Sequence, residues 1–136
     1  MVTIDLDYEG GLHCAAKHGP SGSTLTTDAP VDNNGRGEAF SPTDLVATAL
    51  GACMMTVMGI VAERKEIDMK GAKVTVRKHM SADTPRRISK LELDLTLPVA
   101  ADHPERPMLE AAAKGCPVHH SLHPEIEVVM NWTWAG

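Results

Sequence analysis

The chain has 136 residues, of which 43% are hydrophobic and 23% charged, and its formal net charge is -5 at pH 7. This composition excludes a disordered chain, and a length of this order predicts one globular domain spanning residues 1–136. Acidic and basic side chains are scattered without a basic run, which disfavours nucleic acid as a partner.

The first part of the chain is predicted to form three strands joined by glycine-containing turns. Apolar and acidic residues alternate over Ile4–Tyr8, the period of two that is typical of a half-buried strand. Further strands are expected over Leu12–His18 and Ser23–Thr27. The polar segment 29–40 predicts a long loop, and long ordered loops are often functional.

A long helix is the clearest predicted element. Ser41 suits its N-cap and Pro42 its first turn, and no helix-breaking residue follows until about Glu66. Residues 45–62 carry no charge, and a helix that is apolar on all sides must be buried on all sides. Its length of about 38 Å is as large as the diameter of about 37 Å expected for a compact domain of this size. One chain can therefore hardly cover the whole helix.

A homodimer would resolve this conflict, because the partner would cover part of the helix. Gly51 and Gly59 point the same way, since each costs about 1 kcal/mol in a helix interior. Close approach of a second helix would explain why both positions are glycine.

The second half of the chain is predicted to alternate strands with short helical segments. Strands are expected over Ala72–Met80, Ile88–Leu97 and Glu125–Trp134, with a helix over Met108–Lys114 and a helical turn beginning at Pro117. The resulting order, β-β-β-α-β-β-α-β, predicts an α+β fold with a long buried central helix packed on an antiparallel sheet.

The expected location is the cytoplasm, without a membrane partner. Residues 1–5 lack the basic and apolar regions of a signal peptide, and no apolar stretch is expected to approach the roughly 20 residues of a membrane span. Thiols in the cytoplasm stay reduced unless they carry out chemistry. The odd number of cysteines, three, does not make a disulfide framework.

The three cysteines differ in their predicted surroundings. Cys53 lies midway along the uncharged helix, where a cysteine is most often a small inert hydrophobe. Cys116 falls at the cap of the helical turn, where free backbone N–H groups favour a thiolate and lower the pKa, so it is either a reactive thiol or a simple cap. Cys14, on the second strand, is predicted to be structural.

A zinc site is the alternative suggested by the histidines close to Cys116. His119, His120 and His123 follow it at short spacing, and zinc binds both residue types. A zinc site needs three or four ligands, however, and no second cysteine or paired carboxylate is near. We therefore predict no metal site, and no phosphate-binding glycine loop or serine-nucleophile motif is present either.

Two motifs in the chain resemble those of the OsmC/Ohr family, the osmotically inducible and organic hydroperoxide resistance proteins. Ser41–Cys53 resembles the central-helix motif of that family, and Cys116-Pro117-Val118 resembles its second-cysteine motif. The resemblance covers nearly the whole chain and is closest to the broad OsmC-like branch. It implies an intertwined homodimer, with two sheets around the long central helices and sites at the subunit interface.

The same resemblance implies thiol-dependent reduction of organic hydroperoxides, as a defence against oxidative stress. By motif, Cys53 would be the peroxidatic thiolate and Cys116 the resolving thiol, so that a sulfenic acid condenses to a disulfide. An external dithiol would restore the reduced form without a bound cofactor. The alternative is a non-catalytic OsmC-like domain that binds a small apolar ligand.

The chain departs from the peroxidases of this family at the start of the helix. Thr43 stands where they have a glutamate, and Asp44 follows one residue later. The arginine that activates their thiolate has no motif match, and Arg36 is a candidate by residue type alone.

Overall fold

The computed structural model describes residues 1–136, which form two compact units, Met1–Val46 and Ala47–Gly136. Each unit contains one three-stranded sheet, and helices separate or follow the strands along the chain. The predicted α+β class is confirmed.

The sheet of the first unit consists of β1 (Ile4–Tyr8), β2 (His13–His18) and β3 (Thr24–Asp28), paired antiparallel in that order. All three strands lie within two residues of their predicted bounds. β1 is exposed along its whole length, which corrects the expectation of a half-buried strand. Its apolar alternation is real, but its apolar face is left open in the single chain.

Segment 29–40 is a loop, as predicted, with one short 3-10 turn over Val31–Asn33. Asp28, only 2% exposed, holds both ends of this region together. Its carboxylate lies 2.6 Å from His13 Nδ1 and accepts the Glu38 backbone N–H at 3.1 Å. The hydrogen bond from His13 is the main influence lowering the pKa of Asp28, opposed by burial and assisted by the Glu38 N–H and the charge of Arg36.

The lowered pKa of Asp28 predicts an acid-sensitive contribution to stability. The stabilisation is complete above the ordinary carboxyl pKa of 3.8 and is lost as the pH falls from there through the lowered value. We expect Asp28→Asn to lower the urea midpoint most at neutral pH and to flatten its decline below pH 4. Urea unfolding from about pH 2.5 to 7 measures this. Asp7→Asn, on exposed β1, is the matched control, and an equal effect of both changes would contradict the prediction.

Helix α1 spans Pro42–Arg64, close to its predicted bounds. Ser41 caps it, because its Oγ accepts the Asp44 backbone N–H at 3.1 Å and its own N–H donates to Asp44 Oδ2 at 2.9 Å. This reciprocal pair follows the capping-box pattern, with aspartate as the returning acceptor. The chain leaves the helix at Glu66, which has a positive φ of 55°.

The burial of α1 differs from the prediction. One face is buried, whereas positions on the opposite side, Thr48, Ala49 and Ala52 among them, are exposed. The helix is therefore not buried on all sides within one chain, because the elements of the chain cover one stripe of it. The buried residues of this stripe are Ala47, Leu50, Gly51, Met54, Met58 and Ala62.

By length and composition, α1 could also cross a membrane, and it is the one helix of the chain that could. This corrects the expectation that no apolar stretch approaches that length. The observation is weak, since the core helix of a soluble protein meets the same criteria.

The sheet of the second unit is mixed, which corrects the predicted antiparallel sheet. β4 (Lys73–Met80) and β5 (Ile88–Ala100) pair antiparallel, whereas β6 (Glu127–Ala135) pairs parallel to β5. Between β5 and β6 the chain forms α2 (Arg106–Lys114) and α3 (Pro117–Ser121). This long crossover returns the chain to the same end of the sheet, so β6 runs parallel.

The core of this unit follows the alternation of β5. Its inward residues Leu91, Leu93, Leu95 and Leu97 are at most 1% exposed. The other face of the strand is polar and forms charge pairs with β4. One of them joins Arg77 Nη2 on β4 to Asp94 Oδ2 on β5 at 2.8 Å. The strand predicted over Ile88–Leu97 is confirmed, and it extends to Ala100.

Gly51 is required by a strand in its own chain. A Cβ placed there would lie 2.9 Å from Val76 Cγ2 on β4, whereas one at Gly59 would meet no atom of the chain within 4 Å. Because Val76 pairs with Leu93, α1 approaches the face of the sheet that carries the β5 leucines. Close helix approach is therefore not needed to explain Gly51.

Candidate functional site

Two of the three cysteines come together in the second unit. Cys53 and Cys116 lie close enough for Cys53 to raise the pKa of the Cys116 thiol, and both thiols are reduced. Cys116 is completely buried and Cys53 is half-buried. Cys14 lies on β2 in the first unit, where it pairs with Tyr8 and Thr27. The structure thus brings together the pair of cysteines that the two sequence motifs single out.

Each thiol is positioned by a different kind of element. Cys53 lies in the middle of α1, next to the fully buried Met54. Cys116 lies at the junction of α2 and α3, where Gly115 ends the first helix and Pro117 begins the second. The predicted cap is present, because Cys116 Sγ accepts the His119 backbone N–H at 3.4 Å.

The electrostatic surroundings of Cys116 do not favour its thiolate overall. Burial is the largest influence and raises the pKa of the Cys116 thiol, and neighbouring Cys53 raises it further. The backbone N–H groups of His119 and Val118 lower the pKa of Cys116 but do not outweigh burial. The expectation that the cap leaves this thiol with a lowered pKa is therefore wrong.

The candidate activating arginine, Arg36, and the two residues at the position of the family's glutamate, Thr43 and Asp44, have these local contacts. Arg36 belongs to the first unit, where its guanidinium lies beside Gly11 and its charge helps to lower the pKa of Asp28. The Asp44 carboxylate accepts the Ser41 N–H, and Thr43 Oγ1 lies 3.3 Å from Ser41 Oγ. The Asp44 carboxylate thus helps Ser41 to cap the start of α1.

The histidines after Cys116 bind backbone groups. His119 Nδ1 lies 2.7 Å from the Lys114 carbonyl oxygen, and His123 Nδ1 accepts the Glu125 N–H at 3.1 Å. The His120 ring stands beside that of His119, with 6.3 Å between centroids. No group of three or more His, Cys, Asp or Glu side chains is placed to hold a metal ion, so the zinc alternative has no ligand set in this chain.

Sequence reasoning missed an aromatic cluster in the same unit. Trp132 and Trp134 stack with their ring centroids 5.4 Å apart, and the Arg106 guanidinium lies 5.1 Å from the centre of the Trp134 ring. The Trp-x-Trp spacing on a strand is the signal that could have placed both rings on one face.

The family of the chain follows from its sequence match. A protein-family model described as "OsmC-like protein" matches residues 35–131 of the chain. The chain belongs to the OsmC-like family. A comparison with curated proteins finds no match.

Solved structures agree with membership of the OsmC-like family. A protein from Psychrobacter arcticus 273-4, described as an osmotic stress induced and detoxification response protein, is 43% identical, with a TM-score of 0.91 over 97% of this chain and 96% of that one. An organic hydroperoxide resistance protein from Legionella pneumophila is 18% identical, with a TM-score of 0.77 over 98% and 96% of the two chains. One from Elizabethkingia anophelis is 19% identical, with a TM-score of 0.77 over 99% and 98%. The last two show the shared fold alone.

Proposed function

We propose that this OsmC-like protein reduces organic hydroperoxides through Cys53 and Cys116, as part of peroxide defence in the cytoplasm. The observation that carries the proposal is the closeness of the two thiols, which are near enough for Cys53 to raise the pKa of Cys116. Membership of the OsmC-like family and a shared fold with proteins named for organic hydroperoxide resistance support it.

The proposed reaction has two steps within the protein. The Cys53 thiolate attacks the hydroperoxide, so that an S–O bond forms, the O–O bond breaks and the departing alkoxide takes up a proton to become an alcohol. Cys116 then attacks the Cys53 sulfenic acid, an S–S bond forms and the hydroxyl leaves as water. An external dithiol reduces the disulfide and is itself oxidised.

The burial of the two cysteines supports this order of roles. Cys53 is half-buried and open to a peroxide, whereas Cys116 is completely buried. Cys53 also raises the pKa of the Cys116 thiol. Oxidation to the uncharged sulfenic acid removes the charge of the Cys53 thiolate, so Cys116 ionises more readily once its target has formed.

A homodimer is part of the proposal. Two apolar surfaces of the chain are exposed, the β1 face with Leu6 and Tyr8 and the side of α1 with Ala52 and Ile60. A second copy would remove apolar area from water at both surfaces. Sedimentation equilibrium at micromolar concentration is expected to give twice the chain mass, and a single-chain mass would contradict this part.

Intact mass after one equivalent of cumene hydroperoxide, followed by peptide mapping, tests the proposed chemistry. We expect a loss of about 2 Da, the two hydrogens removed by a disulfide, mapped to the peptides of Cys53 and Cys116. An unchanged mass, or oxidation of Cys14 alone, would overturn the proposal in favour of a protein that binds an apolar ligand without turnover.

A further inference from the structure

A hydrogen bond from the His119 ring ties together the segment that carries Cys116. His119 Nδ1 lies 2.7 Å from the carbonyl oxygen of Lys114. A carbonyl oxygen can only accept, so Nδ1 must carry the hydrogen whether the ring is neutral or charged. The bond therefore persists in both charge states of the ring and joins the last residue of α2 to the first turn of α3.

The backbone of the same histidine contacts the thiol. The His119 N–H donates to Cys116 Sγ at 3.4 Å, and Cys116 lies inside the short loop that the ring bond closes. Two further backbone bonds hold Cys116: its N–H donates to Ala113 at 3.3 Å, and its carbonyl accepts the His120 N–H at 3.1 Å. The direction of the His119 N–H thus depends on a segment fixed at both ends.

We propose that His119 is a positioning residue for Cys116: the bond from the His119 ring to the Lys114 carbonyl keeps the His119 N–H directed at the Cys116 sulfur. The inference rests on the proposed function, and it deepens it by assigning a residue to the second step. His119 acts through its backbone and through Lys114, so its ring need not touch the peroxide or Cys53.

The consequence for the reaction is specific to the resolving step. When Cys116 loses its proton to attack the sulfenic acid, the His119 N–H stabilises the negative charge on the sulfur. Without the ring bond the first turn of α3 loosens and this stabilisation weakens. The Cys53 sulfenic acid then persists, and a second hydroperoxide molecule can transfer an oxygen to it, giving sulfinic acid and an alcohol.

Two substitutions separate the ring bond from a general effect on folding. Asn places its side-chain N–H near the position of His Nδ1, so His119→Asn keeps the donor to Lys114, whereas His119→Ala removes it. His120→Ala is the matched control, because the neighbouring ring has no such bond to the Lys114 carbonyl. Far-ultraviolet circular dichroism verifies that all three variants are folded.

The first measurement needs no peroxide. In a Cys14→Ser, Cys53→Ala background, the thiolate absorbance of Cys116 at 240 nm is titrated against pH and corrected with the corresponding Cys116→Ser protein. We expect the His119→Ala curve to move to higher pH, while His119→Asn and His120→Ala overlay the parent. A His119→Ala curve that overlays the parent, or a His119→Asn curve that moves with it, overturns the inference.

The second measurement uses the proteins with all three cysteines and one equivalent of cumene hydroperoxide, with dimedone to trap sulfenic acid on Cys53. We expect His119→Ala to increase the trapped fraction by about threefold or more. This is less than the effect of losing a hydrogen bond to a charged group completely, because the His119 N–H is weakened and not removed. Unchanged trapping contradicts a role in resolution. If the unsubstituted protein forms no disulfide, the proposed function fails, while the absorbance titration still decides the positioning role.

Discussion

Replacing Cys53 with serine is expected to reduce hydroperoxide turnover to background, a fall of about a thousandfold or more. A serine hydroxyl cannot supply the sulfur nucleophile, and losses of this order follow removal of a catalytic nucleophile. The rate of cumene hydroperoxide loss with excess dithiothreitol measures the effect. Turnover that survives in Cys53→Ser would place the reactive thiol elsewhere.

Cys116→Ser is expected to behave differently from Cys53→Ser. With one equivalent of cumene hydroperoxide and no dithiol present, it should stop at a sulfenic acid on Cys53, because the resolving sulfur is missing. Cys14→Ser is the matched control for removal of a thiol, since Cys14 belongs to neither of the two cysteine motifs and lies on β2. We expect this control to keep full turnover, and a large loss in it would contradict the assignment of the pair.

Leu95→Ala is expected to lower the free energy of unfolding by about 3 kcal/mol, within the range of about 2–5 kcal/mol for a buried leucine. Leu95 is 0% exposed, and its register partners are Val74 on β4 and Trp132 on β6. The substitution leaves a cavity beside the middle strand of the sheet, bordered by residues of both neighbouring strands.

Thr96→Ala is the matched control for this experiment, because Thr96 is the next residue of β5 and is exposed. We expect it to change the free energy of unfolding by no more than about 0.5 kcal/mol. Urea unfolding at one fixed protein concentration compares the two, since dimerisation would make stability depend on concentration. Equal losses at both positions would show that β5 does not bury one face as described.

The local part of the fold could be predicted from the sequence because its causes are local. The start of α1 follows from Ser41 and Pro42, whose capping chemistry involves neighbours three residues away. The alternation of β5 indicates which of its faces is buried. The direction of β6 could not be predicted, since alternation is the same in parallel and antiparallel strands. Nor could the exposure of β1, which depends on what covers it.

The site shows the same division. Proximity of Cys53 and Cys116 was implied by the family resemblance and not by local pattern, because the two residues reach each other only through packing. The cap on Cys116 was predictable from Pro117, yet the direction of the change in its pKa was not. Burial comes from residues distant in sequence, and here it outweighs the helix-end N–H groups. The His119 bond to Lys114 needs the particular turn between α2 and α3.

The parallel pairing of β6 also orders the assembly of the molecule. β1, β2 and β3 meet through short connections, whereas β6 reaches β5 across 37 residues at the Asn131–Asp94 hydrogen bond. Contacts that close such long loops form late, because the entropy of loop closure is lost before they stabilise the chain. Cys116 lies on the segment that connects β5 to β6, so we expect it to reach its final place beside Cys53 only after these two strands have paired. We therefore expect Cys53 and Cys116 to stay apart in a partly folded chain, and thiol labelling during refolding can measure when the two thiols come together.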